Sequence, residues 1–214
     1  MNHIQVLEGP DADTAVGRLN QVVTITSSED GSPDIALIKR SDAVVAPVMH
    51  KGTLTQEIVQ KIFDAASTTG QAPMTAVGLY NAEEQHCYSV PMVLEGLNEL
   101  RGTSCGVINF ALFGNSIGSS DGESDTPSWL VLFDDQLYVA YGPKEFVTTL
   151  VGDIGEAFQA VETRLNQLYT DAQGDIPGYA REEINRMGEY LDAALTKLTE
   201  GYAKADEGDW VGVV

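Results

Sequence analysis

WLVLFDDQLYVAYGPKEFVTTLVGDIGEAFQAVETRLNQLYTDA, residues 129–172, changes its period part-way along. Up to Tyr141 it holds two apolar runs, 129–133 and 137–141, joined around Asp134 and Asp135. Strand-length apolar runs on either side of a polar turn predict a β-hairpin. From Pro143 onward Val147, Val151, Ile154, Phe158, Val161, Leu165 and Leu168 follow one another by alternate steps of four and three. That is the heptad spacing of a helix with one apolar seam. The chain passes here from sheet to helix, and the fold class follows from which side of Pro143 each remaining segment resembles.

Downstream the helical pattern repeats. QGDIPG at 173–178 interrupts it, with Gly174 placed to stop one helix and Pro177 to begin the next. Ala180, Ile184, Met187, Leu191, Ala194 and Leu198 then resume the same spacing. Two helices of roughly 40 Å each, at 1.5 Å per residue, must run antiparallel across so short a link. Phe146, Leu150 and Ala157 widen the first seam, and Leu195 and Tyr202 the second. Each helix thus carries more apolar surface than its partner covers. Gly152, Gly155, Gly188 and Gly201 mark close packing or kinks in these helices. The chain closes on ADEGD and a short apolar tail, Trp210, Val211, Val213 and Val214.

Upstream the segments are strand-like. Residues 21–26 and 34–39 flank the turn-rich SSEDGSP and predict a hairpin. Residues 42–49 form another extended run, in which Pro47 points to an edge strand or a strand end because proline donates nothing to a ladder. Thr53 and Gln56 have capping-box spacing at the head of a short helix whose apolar face is Ile58, Ile62, Phe63 and Ala66, with Gly70 as its stop. Residues 74–80 and 86–94 are strands around NAEEQ. Residues 106–113, GVINFALF, predict a strand buried on both faces, and a long polar loop follows at 114–128. Turn-linked neighbours pair antiparallel. The expectation is therefore an α+β fold. Residues 1–142 form a mostly antiparallel sheet of about seven or eight strands with one short helix. Residues 143–214 form an antiparallel hairpin of two long helices with the apolar tail, packed on the sheet as one domain.

The charge is lopsided. Asp and Glu number 32 against 12 Lys and Arg, a net of −20 over 214 residues. The excess is spread along the chain, so it belongs to the folded surface. Such a field repels nucleic acid and anionic membranes. It fits adaptation to a salty medium, a surface for a basic partner, or plain solubility. The opening MNHIQVLEGP lacks the basic and apolar regions of a signal peptide, and no apolar run approaches the ~20 residues of a membrane helix. The expected location is the cytoplasm, or a particle assembled there. Cys87 and Cys105 match no disulfide framework or zinc spacing.

Several motifs invite a catalytic reading and fail on inspection. Gly114, Ser116 and Gly118 fit G-x-S-x-G after an apolar run, but loop chemistry follows where a nucleophile elbow needs a helix. His3, His50 and His86 also all precede Ser116, against the triad order of that fold. His86 and Cys87 are strand neighbours, so they point to opposite faces. Asp121, Glu123 and Asp125 begin like a calcium loop, yet Thr126 and Leu132 stand where glycine and a bidentate acid belong. No phosphate loop is present. The sequence assigns no catalytic, cofactor-binding or metal-binding residue.

The expected function is that of a non-catalytic structural or interaction protein, a homo-oligomer or part of a larger assembly that binds no nucleic acid and inserts in no membrane. Its contacts would run through Val147, Val151, Ile154, Phe158, Val161, Leu165, Leu168, Ile184, Met187, Leu191 and Leu198 of the hairpin and through Trp210, Val211, Val213 and Val214. A virion component or an assembly factor from a salt-adapted system would match the acidity. The alternatives are an acidic inhibitor or immunity-type protein for a basic partner, and a hydrolase using Ser116 or a metal-bound carboxylate cluster.

Overall fold

Apolar runs longer than one face requires dictate a sheet covered on both sides. The computed structural model describes residues 3–27, 33–37, 43–50, 54–70, 72–79, 86–103, 109–114, 126–133 and 137–172. Its strands, in chain order, are β1 (Gln5–Leu7), β2 (Val23–Ser27), β3 (Pro33–Leu37), β4 (Val44–Met49), β5 (Met74–Gly78), β6 (Cys87–Val90), β7 (Phe110–Gly114), β8 (Trp129–Phe133) and β9 (Leu137–Gly142). Seven of them form one sheet in the order β1-β6-β5-β7-β8-β9-β4, and every pairing is antiparallel. The expected 21–26 and 34–39 hairpin appears as β2 and β3, in a separate two-stranded sheet. β4, with Pro47, is an edge strand as its proline predicts.

The helices are α1 (Pro10–Leu19), α2 (Gln56–Ser67), α3 (Leu94–Leu100), α4 (Lys144–Val151) and α5 (Ile154–Ala172). Period-two alternation along the central strands sends side chains into two cores. On one face Met74, Ala76, Phe110, Leu112, Trp129, Val131, Tyr138 and Ala140 pack with Ile58 and Ile62 of α2, Leu97 and Leu100 of α3, and Phe146 and Val147 of α4. On the other, Val77, Cys87, Ala111, Phe113, Leu130, Leu132, Val139 and Tyr141 meet Ala15 and Leu19 of α1, Val22, Val23 of β2 and Val161 of α5. The arrangement is three layers, which is why β5, β7, β8 and β9 are buried at every position.

Four expectations need correction. The β-rich part carries α1 and α3 as well as the single helix expected there. Pro10 at the first helical position, with Asp11 and Asp13 in the first turn, is a standard helix start that the strand-like surroundings masked. The run at 86–94 is a strand only to Val90, and Leu94, Leu97 and Leu100 then repeat at helical spacing. α2 is capped by Thr55, whose hydroxyl accepts the Ile58 N–H at 3.3 Å; Thr53 lies outside the described residues. Finally, the helix expected to run unbroken from Pro143 is two. Gly152, at φ 86°, ends α4, and the Asp153 carboxylate accepts the Glu156 N–H at 3.0 Å to start α5. The second helix of the expected hairpin lies outside the described residues.

Candidate functional site

Trp129 is the largest side chain in the first core, and its neighbours explain two glycines. Gly114 pairs with it directly across β7 and β8. A Cβ on Gly114 would overlap the indole. Gly142, at φ 150°, flanks it from β9, where a Cβ would stand 2.7 Å from the Trp129 Cβ. Phe146 of α4 stacks over the ring at 4.6 Å and 20°. The first glycine of G-x-S-x-G is therefore required by packing. Ser116 itself lies outside the described residues.

A second row of aromatics crosses the same face toward a polar cluster. Phe110 and Phe133 stack at 4.5 Å, Phe133 and Tyr138 lie 5.6 Å apart, and Tyr138 meets the His50 ring edge-to-face at 5.9 Å. Tyr138 is only 3% exposed. Burial, and then the charge of Glu57, push its phenol up to about 12. Glu57 itself is held below the usual carboxylate range, first by its hydrogen bond with Lys61 and then by the Lys61 charge, with His50 adding a smaller pull. The Lys61 Nζ to Glu57 Oε1 distance is 2.9 Å. At neutral pH Tyr138 thus stays a protonated phenol, and Glu57 and Lys61 are paired with each other. Among the described residues no three His, Cys, Asp or Glu gather as a metal site.

The residues expected to mediate assembly fall partly in the two cores and partly outside the described residues. Val147 is wholly inside the first core, with Val151 and Ile154 packed against it. Val161 is wholly inside the second core. Phe158 is half-buried. Leu165 and Leu168 belong to α5, but their side chains are outside the described set, as are Ile184, Met187, Leu191, Leu198, Trp210, Val211, Val213 and Val214. Because Ile154 reaches one core and Val161 the other, and α5 lies against β4, the helix passes across that edge of the sheet. Covering an edge with a helix is a recurrent way to block strand addition.

The opposite edge is different. β1 ends the sheet, with β6 as its strand neighbour. Gln5 and Val6 are exposed, Val6 at 54%. Glu99 of α3 accepts the His3 N–H at 2.6 Å and lies 3.3 Å from His3 Nδ1, which anchors the start of the strand. The His3 N–H is the main cause of a Glu99 carboxyl held below its ordinary range. On the other face Leu7 pairs with Cys87, whose thiol is pushed up by burial and further by the charge of Asp13. Sequence reading missed this edge, because a three-residue strand gives no periodic signal; the QVL run before Gly9-Pro10 was the available hint.

No family model, curated protein or solved structure matches this chain. Among the described residues no helix is long and apolar enough to cross a membrane.

Proposed function

We propose that the chain is a non-catalytic structural or interaction protein that assembles, with copies of itself or within a larger complex, through its C-terminal helical region and the tail at Trp210–Val214. The observation that supports this is the course of α5. Ile154 and Val161 join the two cores, and the helix then continues to Ala172. Leu165 and Leu168 extend the same spacing, and Ile184, Met187, Leu191 and Leu198 repeat it further on. In this reading that apolar surplus meets another subunit. The net charge of −20 suits a particle component or assembly factor that works in a salt-rich interior. Light scattering on the eluting protein tests it. An oligomer that tightens with salt is expected, since apolar interfaces strengthen there. Deleting residues 209–214, or changing Leu165 and Leu168 to Asp, should shift it toward monomer. A monomer at low and high salt, indifferent to these changes, would overturn the reading.

The same charge favours a second reading, an acidic inhibitor or immunity-type protein that blocks a basic partner. Its binding would weaken as salt rises, the opposite of the first.

A further inference from the structure

We propose that the outer edge of β1 takes up an extended, cationic segment of a partner protein as an added strand of the main sheet. This rests on reading the chain as an interaction protein, but it uses a different surface from α5.

The two edges of the sheet are unequal. β4 has α5 against it, whereas β1 has no strand partner on its outer side among the described residues. An edge strand with a free side presents a row of backbone donors and acceptors to any extended chain. Main-chain hydrogen bonds then supply affinity, and alternate side chains supply selectivity. Val6 is the most exposed large hydrophobic residue among those described, and it stands in the middle of this strand. It offers one apolar contact to an incoming strand.

Charge selects the occupant. Residues 1–19, which form β1 and α1, carry Glu8, Asp11 and Asp13 against a single Arg18. Residues 86–101, which form β6 and α3 with its cap, carry Glu95 and Glu99 against Arg101, whose guanidinium donates to Gln56 at 2.9 Å. Two of these carboxylates, Asp13 and Glu99, approach the edge, one from each face. Asp13 is close enough for its charge to reach Cys87, opposite Leu7, and Glu99 holds the His3 end from the α3 side. A strand in which Lys or Arg alternates with apolar residues meets both requirements. A second copy of this chain would carry the same net −20 and be repelled overall.

The test uses the full chain, labelled with nitrogen-15, and three synthetic peptides. The first alternates Lys and Val. The second keeps the same side chains but carries a methyl group on every backbone nitrogen, so neither of its edges can donate. The third alternates Glu and Val. The first should shift the amide signals of Gln5–Leu7 and lose affinity as salt rises. The N-methylated and Glu peptides should bind at least about tenfold more weakly, since one has no donors for the ladder and the other is repelled. Val6→Lys, at an exposed position, should weaken the first peptide about tenfold at unchanged Tm. Glu8→Lys with Asp11→Lys should do the same without altering β1. Equal binding of the first two peptides, or amide shifts that spare β1, would overturn the proposal. So would light scattering in which Val6→Lys dissolves a dimer, because a second copy would then be the occupant. Loss of peptide binding with assembly through α5 intact would sink the edge alone. A monomer that still binds the peptide at β1 would sink the α5 reading alone.

Discussion

The indole of Trp129 occupies the space that a side chain at Gly114 would need, and the two residues face each other across β7 and β8. The contact is with the body of the ring, which Phe146 holds from above, so it cannot swing aside cheaply. Gly114→Ala should therefore cost about 1–3 kcal/mol through overpacking. Trp129→Leu should cost a similar or larger amount by opening a cavity. Combined, the two changes should cost less than their sum, because the shortened side chain makes room for the new methyl. Denaturant unfolding of the two single variants and the double variant measures the coupling. Strict additivity would mean the ring does not lie over Gly114.

Tyr138 supplies a prediction in alkali. Its phenol ionises near 12 in the folded protein, against about 10 for an exposed tyrosine. The folded value is the higher one, so the folded state is undisturbed below the unfolded value and loses stability as pH rises between the two. The loss reaches about 2–3 kcal/mol at the top of that window. Tyr138→Phe should remove this part of the alkaline loss, together with one late-appearing tyrosinate in an ultraviolet titration. An unchanged titration would show that another tyrosine is responsible.

The His3 and Glu99 tether acts at the other end of the pH scale. Glu99 titrates lower when folded than when unfolded. The tether is therefore at full strength above the ordinary glutamate value of about 4.3 and fades as pH falls through the lower folded value. Glu99→Gln keeps an acceptor for the His3 N–H but removes the pH dependence. Glu99→Ala should free the start of β1, and amide exchange of Gln5–Leu7 should quicken while that of β8 stays slow. Equal protection in wild type and Glu99→Ala would mean that the pairing with β6 holds β1 unaided.

Thr55 contributes through its hydroxyl, which accepts from Ile58 at the start of α2. Thr55→Ala should cost about 1 kcal/mol, and Thr55→Ser should restore most of it. Chemical denaturation of the three proteins reads this directly. If alanine and serine behave alike, the bond at 3.3 Å adds nothing.

How much of this was legible depends on what each element advertises. β8 and β9 were plain because both are apolar runs around a turn, and their registered pairing follows from that pattern. Pro47 marked β4 as an edge. α1 and α3 were hidden because ten and seven residues carry too few helical repeats to stand out beside strands. The polar cluster at His50 could not be read at all. It joins the end of β4 to β9 and the first turn of α2, a juxtaposition made by the sheet and not by spacing along the chain. The candidate edge at β1 is likewise a product of strand order, which two exposed residues do not reveal.

Gly152 is where a regular heptad and the folded chain disagree, and the disagreement can be tested. The seam from Val147 to Leu168 asks for one helix, but Val147 belongs to the first core and Val161 to the second. A straight helix packed on one face would not deliver both, so the chain turns between them. Gly152 permits the turn with φ 86° and ψ −125°, a conformation that other residues rarely adopt, and donates its N–H to Thr148 O at 2.8 Å. Nothing lies within 4 Å of a Cβ placed there, so Gly152→Ala is opposed by backbone strain alone. The expected cost is about 1–3 kcal/mol. Asp153→Ala, which removes the cap on Glu156, should cost about 1 kcal/mol. Gly152→Ala with raised helicity and raised stability would show that the break is dispensable. The two helices would then fuse as the heptad implies, and α5 would leave the β4 edge. Lower stability with unchanged helicity would establish that the path across that edge is what the glycine is for.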